Sequence, residues 1–399
     1  MAAAGRAEIN DSGNSLKKSP RSFAAFVAGF DWVQIIALVF LLAVGLIFIR
    51  SIGIQIGTKA ASLFFQKQLT QWIPLGMVFW LFFALIDYRK LYFRTGGVFF
   101  FLATTAALLI VLKFGVTVFG ARRWLMIGSF RLQPSEFGKL SLILVLAWLF
   151  STPRFSGARW AGIITGMVMV LVPAFLIYKE PDLGGTLILF PIAGAMLLVS
   201  GLKWRWLLLI AVVCCGAFLA LRAVVLSESP PSFIKSYQMK RLKVFFKPNS
   251  DISNSGHNVY QSRLAVGAGG LHGKGIGNGT QNQLGFLPQT VSNNDFIFSV
   301  IAEETGFTGC LLLLAGYAVL FYSVLRTAFN APPYGRMIAT GICAMLFCHT
   351  YINIGMCIGL APVTGLPLPF VSYGGSFIFV GMMSMGILQS IHRYGNSEK

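Results

Sequence analysis

NNDFIFSVIAEETGFTGCLLLLAGYAVL, residues 293–320, decides how the chain is read. Two asparagines and Asp295 lead into an apolar run long enough to cross a membrane, and Glu303 and Glu304 sit inside that run. A crossing takes about 20 mostly apolar residues in a helix. The chain has 13 acidic residues against 32 lysines and arginines, so three acids in one such place are conspicuous. Ionisable groups at membrane depth are costly and usually mark a substrate or ion path. Chemistry is therefore expected here.

Outward from this stretch the chain is mostly hydrocarbon. Of its 399 residues 56% are hydrophobic and 11% charged, and the mean hydropathy is +0.72. A soluble domain carries about 25% charged residues, so this composition belongs to a polytopic membrane protein. Ten runs reach membrane length: 32–50, 69–87, 96–114, 135–151, 160–178, 183–201, 206–226, 296–325, 337–359 and 374–391. The expected fold is all-α with about ten transmembrane helices. One large extracytoplasmic loop, 227–294, joins spans seven and eight. Residues 1–30 read as a cytoplasmic tail, because the apolar run after them is too long for a cleavable signal, and 31–395 as the membrane domain.

Positive charge in short loops orients the helices. With the N-terminus inside, the cytoplasmic side receives the tail with Lys17, Lys18 and Arg21, then Arg89, Lys90, Arg94, Arg154, Arg159, Lys203, Arg205, Arg326, Arg336, Arg393 and Lys399. Both termini are then cytoplasmic and Asp295 lies outside. Arg122, Arg123 and Arg131 break the bias in one short external loop. They either snorkel to lipid phosphates or meet an anionic ligand. The net charge of +19 suits an anionic membrane surface. Its dispersal over loops on both sides speaks against nucleic acid. Six cysteines lie in apolar runs without metal or disulfide spacing, and the four histidines are scattered.

Three constellations can carry chemistry. Asp295 is either the N-cap of span eight or, shielded at a helix entrance, a proton acceptor. Glu303 lies two turns deeper and about 80° around the helix, with Glu304 on the opposite face, so one of the pair is expected to face the cavity of Asp295. The glycine-rich stretch 267–279 lacks the strand and helix of a nucleotide site and is read as backbone freedom in a mobile loop. Second, Pro134 opens a helix with Glu136 and Lys139 at i,i+3. The two either neutralise each other or leave Lys139 for an anion. Third, the uncharged PVTGLPLPFVSYGGS, 362–376, is expected to re-enter the membrane, where its amides must be buried in protein.

Together these pieces resemble the SEDS family (shape, elongation, division and sporulation), nearer its elongation branch, the RodA type, than its division branch, FtsW. The resemblance runs from about Asp31 to Arg393. It is carried by GARRW at 120–124, QPSE at 133–136 with Lys139, PDLG at 181–184, and GTQNQL at 279–284. Asp295 with Glu303 and Glu304, Asn353, PVTGLPLP at 362–369 and SYGGS at 372–376 complete it. It implies a peptidoglycan glycosyltransferase of the bacterial inner membrane that polymerises lipid II at the outer face during elongation. Asp295 would be the general base of an inverting transfer. Arg122, Arg123, Trp124, Lys139 and Lys113 would bind the pyrophosphate, and Glu136, Glu303, Glu304 and Ser372 would support them. A divalent cation, magnesium or manganese, with Asp295 as candidate ligand, would be an alternative source of positive charge. The implied partners are a class B penicillin-binding protein, which crosslinks, and membrane proteins of the elongation complex.

Two departures from the family stand out. QTVSNN at 289–294 is two residues longer than the usual run before the aspartate and lacks its glutamate. Glu180 stands where the family commonly has glutamine, adding an acid beside Asp182. The rival reading is a lipid-precursor flippase or transporter, which ten spans and intramembrane acids would suit. No inverted repeat supports it, and the acids gather at the outer lip.

Overall fold

The computed structural model describes residues 27–57, 59–92, 94–118, 121–128, 130–156, 159–227, 236–247, 256–287 and 289–395. Most of the expected cytoplasmic tail, residues 1–26, lies outside the described residues. All ten apolar runs are helical. α1 (Trp32–Ile56) starts at Asp31, whose carboxylate accepts from the amides of Val33 and Gln34, and ends at Gly57 in a left-handed conformation. α2 (Lys59–Lys67) passes through a π-turn (Gln68–Trp72) into α3 (Ile73–Leu85). α4 (Arg94–Phe114) follows.

The loop that carries the positive-inside exception is a small antiparallel meander of β1 (Val116–Val118), β2 (Ala121–Ile127) and β3 (Phe130–Leu132). Then come α5 (Pro134–Ser151), α6 (Trp160–Lys179), α7 (Leu183–Val199) and α8 (Trp204–Leu226). The polar segment contributes α9 (Ser236–Phe246) and α10 (His257–Ala268). The last spans are α11 (Ile297–Asn330), α12 (Pro333–Ile358) and α13 (Gly375–Gly395). Among the described residues eight helices are long and apolar enough to cross a membrane, and the 17-residue α7 and the 23-residue α8 fill the remaining runs. Multi-pass membrane architecture follows directly.

Burial sorts these helices. α5 and α13 are buried over most of their length, whereas the α2–α3 helix and α4 expose most of theirs. A helix apolar all round is tolerated at the periphery because lipid can cover it. The central helices instead carry polar side chains that need protein partners. Asp31 shows this at the end of the bundle expected to be cytoplasmic. Its carboxylate accepts from Ser323 at 2.7 Å, and its backbone exchanges two hydrogen bonds with the side chain of Gln389. The first, eighth and last spans are thereby tied at one level.

Residues 359–374 form no regular element; Leu360 is exposed, and the segment is buried from Leu368 to Ser372. Gly359 ends α12 at φ +83 and Gly365 turns the segment at φ +77. α1 comes so close that a Cβ on Gly45 would stand 2.5 Å from the Val371 carbonyl. Backbone groups of the segment are met by protein: the amide of Leu368 donates to Ser372, the carbonyl of Pro369 accepts from Tyr317, and that of Leu366 accepts from Asn353. Irregular backbone at membrane depth requires this satisfaction.

Candidate active site

Asp295 does not cap α11. The N-cap position is Phe296, with no side-chain hydrogen bond there. A turn places Asp295 just ahead of the helix, its amide donating to the Val291 carbonyl at 2.9 Å. The three consecutive carbonyls of this turn are then held from the far side. Asn293 accepts from the Tyr373 amide at 2.9 Å, Asn294 from the Ser372 hydroxyl at 2.6 Å, and Asp295 from Asn353 Nδ2 at 2.9 Å. Ser372, expected as a supporting residue, thus acts on the backbone beside the aspartate. The carboxylate looks towards Gly365, where a Cβ would lie 3.3 Å from Oδ2. Among the described residues it forms no ion pair within 4 Å and accepts no hydrogen bond.

The charge around Asp295 comes from distant parts of the chain. Shielding from water pushes its carboxyl up to about 6, with Arg241 and then Arg123 pulling down and Asp182 pushing up. Arg241, on α9, donates to the Val363 carbonyl at 3.2 Å, so the polar segment is pinned onto the irregular one. Arg123 donates through Nε to the Glu180 carbonyl at 3.1 Å and through Nη2 to the Pro181 carbonyl. Its Nη1 lies 3.8 Å from Asp182. Asp182 caps α7 by accepting from the Gly185 amide and is also reached by Gln133 at 3.4 Å. Glu180 is wholly buried, and among the described residues neither of its carboxyl oxygens has a hydrogen-bond partner. Burial, with help from Asp182, pushes it up to about 8 against the opposing charge of Arg123.

The other expected cations divide. The pairing of β1 with β2 slips by one residue at Arg123, and Arg122 and Arg123 reach different partners. Arg122 is exposed and reaches only Thr117 across the hairpin, at 3.4 Å. Trp124 pairs with Val116, across the register shift from the Arg122–Thr117 pair. Lys113 is exposed at the end of α4, its ammonium over the Phe114 ring. Lys139 has no exposed surface. It donates to Glu136 at 2.7 Å and to His349 Nε2 at 2.9 Å, beneath the Phe377 ring. It is a neutralised member of the core and does not open onto the outer surface.

Glu303 and Glu304 do not face Asp295, contrary to the expectation for one of them. Glu303 accepts from Lys274 at 2.6 Å and from the amide and hydroxyl of Thr280 at 2.9 and 2.8 Å. Glu304 accepts from Ser51 at 2.7 Å, from Gln55, and from the Gly277 amide at 3.1 Å. Both acids bind the glycine-rich stretch to the helices. The expectation of a mobile loop there is also corrected. α11 breaks at Gly306 (φ +66, ψ −162), and the glycine backbone fills the break. Amides of Lys274 and Gly275 donate to the carbonyls of Glu303 and Glu304, while those of Phe307 and Thr308 donate to Gly270 and Leu271. A Cβ on Gly269 would lie 1.9 Å from the Ala302 carbonyl. The glycines serve close approach of two backbones.

Arg241 and His349 are the residues that sequence reasoning missed. Arg241 is one of several cations in SYQMKRLKVFF, and only its fold position singles it out. Comparison with known proteins adds the family context. A model of the cell cycle protein family that groups FtsW, RodA and SpoVE matches residues 32–397. The chain is 40% identical over 287 residues to the peptidoglycan glycosyltransferase MrdB of Escherichia coli K12, covering 70% of this chain and 73% of that one. It is 31% identical over 437 residues to the peptidoglycan glycosyltransferase RodA of Treponema pallidum, covering 92% and 98%. A chain of a peptidoglycan synthase complex that coordinates polymerization and crosslinking superposes with a TM-score of 0.75 at 27% identity, over 92% of this chain and 99% of that one. Thermus thermophilus RodA shares the fold, with a TM-score of 0.64 at 24% identity, over 92% and 97%.

Proposed function

The chain belongs to the FtsW, RodA and SpoVE family, and from that premise we propose that it is a peptidoglycan glycosyltransferase that polymerises lipid II during elongation, with Asp295 as its base. The observation that carries the assignment of the base is the aspartate itself. Its backbone is held at three successive carbonyls, while its carboxylate stays uncommitted between two arginines.

The reaction is a single displacement. The 4-hydroxyl of the acceptor sugar attacks the anomeric carbon of the donor, Asp295 takes the hydroxyl proton, and the bond from that carbon to the phosphate oxygen breaks. Undecaprenyl pyrophosphate leaves with the bonding electrons, and the configuration changes from α to β. One base suffices, because the leaving phosphates need charge stabilisation and no proton. Arg123 and Arg241 are the cations that supply it. Raising the Asp295 carboxyl to about 6 makes it a stronger acceptor that is still ionised near neutrality. Asn353 and Ser372 act on its backbone and set where it points.

A divalent cation would bring similar stabilisation. The residues here do not fit one well: among the described residues no three His, Cys, Asp or Glu side chains gather as ligands, and the nearest charges to Asp295 include two guanidinium groups. No step is therefore routed through a metal.

The active site opens to the outer face of the cytoplasmic membrane, with both termini inside. A class B penicillin-binding protein supplies the crosslinks, a partnership supported by the likeness to a chain of a synthase complex. Purified protein reconstituted with that partner and lipid II should make glycan strands. Movement of lipid II across the bilayer without strand synthesis would favour transport instead.

A further inference from the structure

Glu180 takes no part in the displacement, yet it sits inside the charged cluster that surrounds it. Its side chain has no exposure, and both carboxyl oxygens lack a hydrogen-bond partner among the described residues. A carboxylate in that condition is expensive, because neither water nor a donor compensates its charge. The same group as a neutral acid costs far less.

The charged groups that face it are Asp182, capping α7, and Arg123 on β2. Lys179, its neighbour in sequence, turns away over the Phe175 ring. Arg123 already bonds the backbone carbonyls of Glu180 and Pro181 and stands off Asp182 at 3.8 Å. The guanidinium is thus held on the backbone of Glu180 itself. Among the described residues Arg123 is the cation whose charge acts on the Glu180 carboxyl, and it is the cation assigned to the donor's phosphates.

We propose that Glu180 is a positioning residue for Arg123: uncharged, it leaves the guanidinium to the donor's diphosphate, and ionised, it draws the guanidinium away and weakens the hold on the donor. The proposal rests on the transferase reading. The charge of the site agrees with it. Loss of the Glu180 proton, which its burial sets at about 8, would add an unmatched negative charge where a polyanion must bind. Asp295 is ionised throughout that window.

The test is strand synthesis by the complex with its transpeptidase, with KM for lipid II and kcat measured between about pH 7 and about pH 9. In wild type KM should climb about tenfold across the window while kcat changes little. Glu180→Gln, which keeps the shape and removes the proton, should hold KM near its neutral value at both ends. Infrared spectra at neutral pH should show a protonated-carboxyl band in wild type that the variant lacks. If the variant reproduces the wild-type rise in KM, or if it removes no protonated-carboxyl band, the proposal is overturned. A wild type that binds its partner but makes no strands would instead overturn the transferase reading, and the infrared comparison would still report the state of Glu180.

Discussion

Lys139 and Arg123 are both basic residues of one motif-rich stretch, and their surroundings give them opposite tasks. Lys139 is sealed with Glu136 and His349. Removing one partner of a buried pair leaves the other charge uncompensated, at a cost of about 3–5 kcal/mol. Lys139→Met should therefore destabilise strongly, and adding Glu136→Gln should recover part of the loss in a double-mutant cycle read by thermal unfolding. Arg123 and Arg241 face Asp295, and hydrogen bonds to charged groups contribute about 1.5–3 kcal/mol. Alanine at either should lower kcat/KM for lipid II by about 10–100-fold, whereas Arg122→Ala, which loses one exposed contact to Thr117, should change it little. Asp295 must be ionised to accept a proton, so activity should fall as pH drops through about 6. A profile flat through that region would remove Asp295 as base. The Glu136–Lys139 pair was half legible in the sequence, because i,i+3 spacing after Pro134 allows it while leaving a Lys139 free for an anion equally open. The separation of Arg122 from Arg123 was not legible, because the stretch read as a loop and a shift in strand register parts them.

At the scale of elements, the break in α11 and the glycine-rich stretch form one unit. The entrance of α11 is aimed at the site, and the break at Gly306 lets the backbone of 270–275 bond into the helix. Glu303 and Glu304 fasten that insertion from both sides. Gly306→Ala should cost about 2–4 kcal/mol, since it combines positive φ with a Cβ 2.4 Å from the Gly273 amide. Equal unfolding temperatures for this variant and wild type would mean that the break is dispensable. Sequence alone located the acids and the glycines, and it gave the helix period. It could not join them, because the partner of each carboxylate is 22 to 253 residues away. The small meander escaped notice for a different reason. Strands of three and seven residues between membrane-length helices carry too little pattern to compete with a loop.

Across the whole molecule the ten apolar runs were legible because lipid enforces helix wherever hydrocarbon is long enough. The orientation follows from charge and is open to direct test. In a background without the six cysteines, His272→Cys on the glycine-rich stretch should react with an impermeant maleimide from outside. Arg154→Cys should react only after the membrane is opened. What hydropathy could not give was the convergence of the site, which draws Arg123, Asp182, Arg241, Asn353 and Ser372 from five separate stretches onto one aspartate. That convergence is the central claim, and the removal of one proton acceptor tests it. Lipid II polymerisation by the reconstituted complex should be measured for wild type and Asp295→Asn at equal folding and equal partner binding. Wild type should make strands, and the variant should lose at least about a hundredfold of that activity. Strand synthesis by Asp295→Asn at the wild-type rate would contradict it.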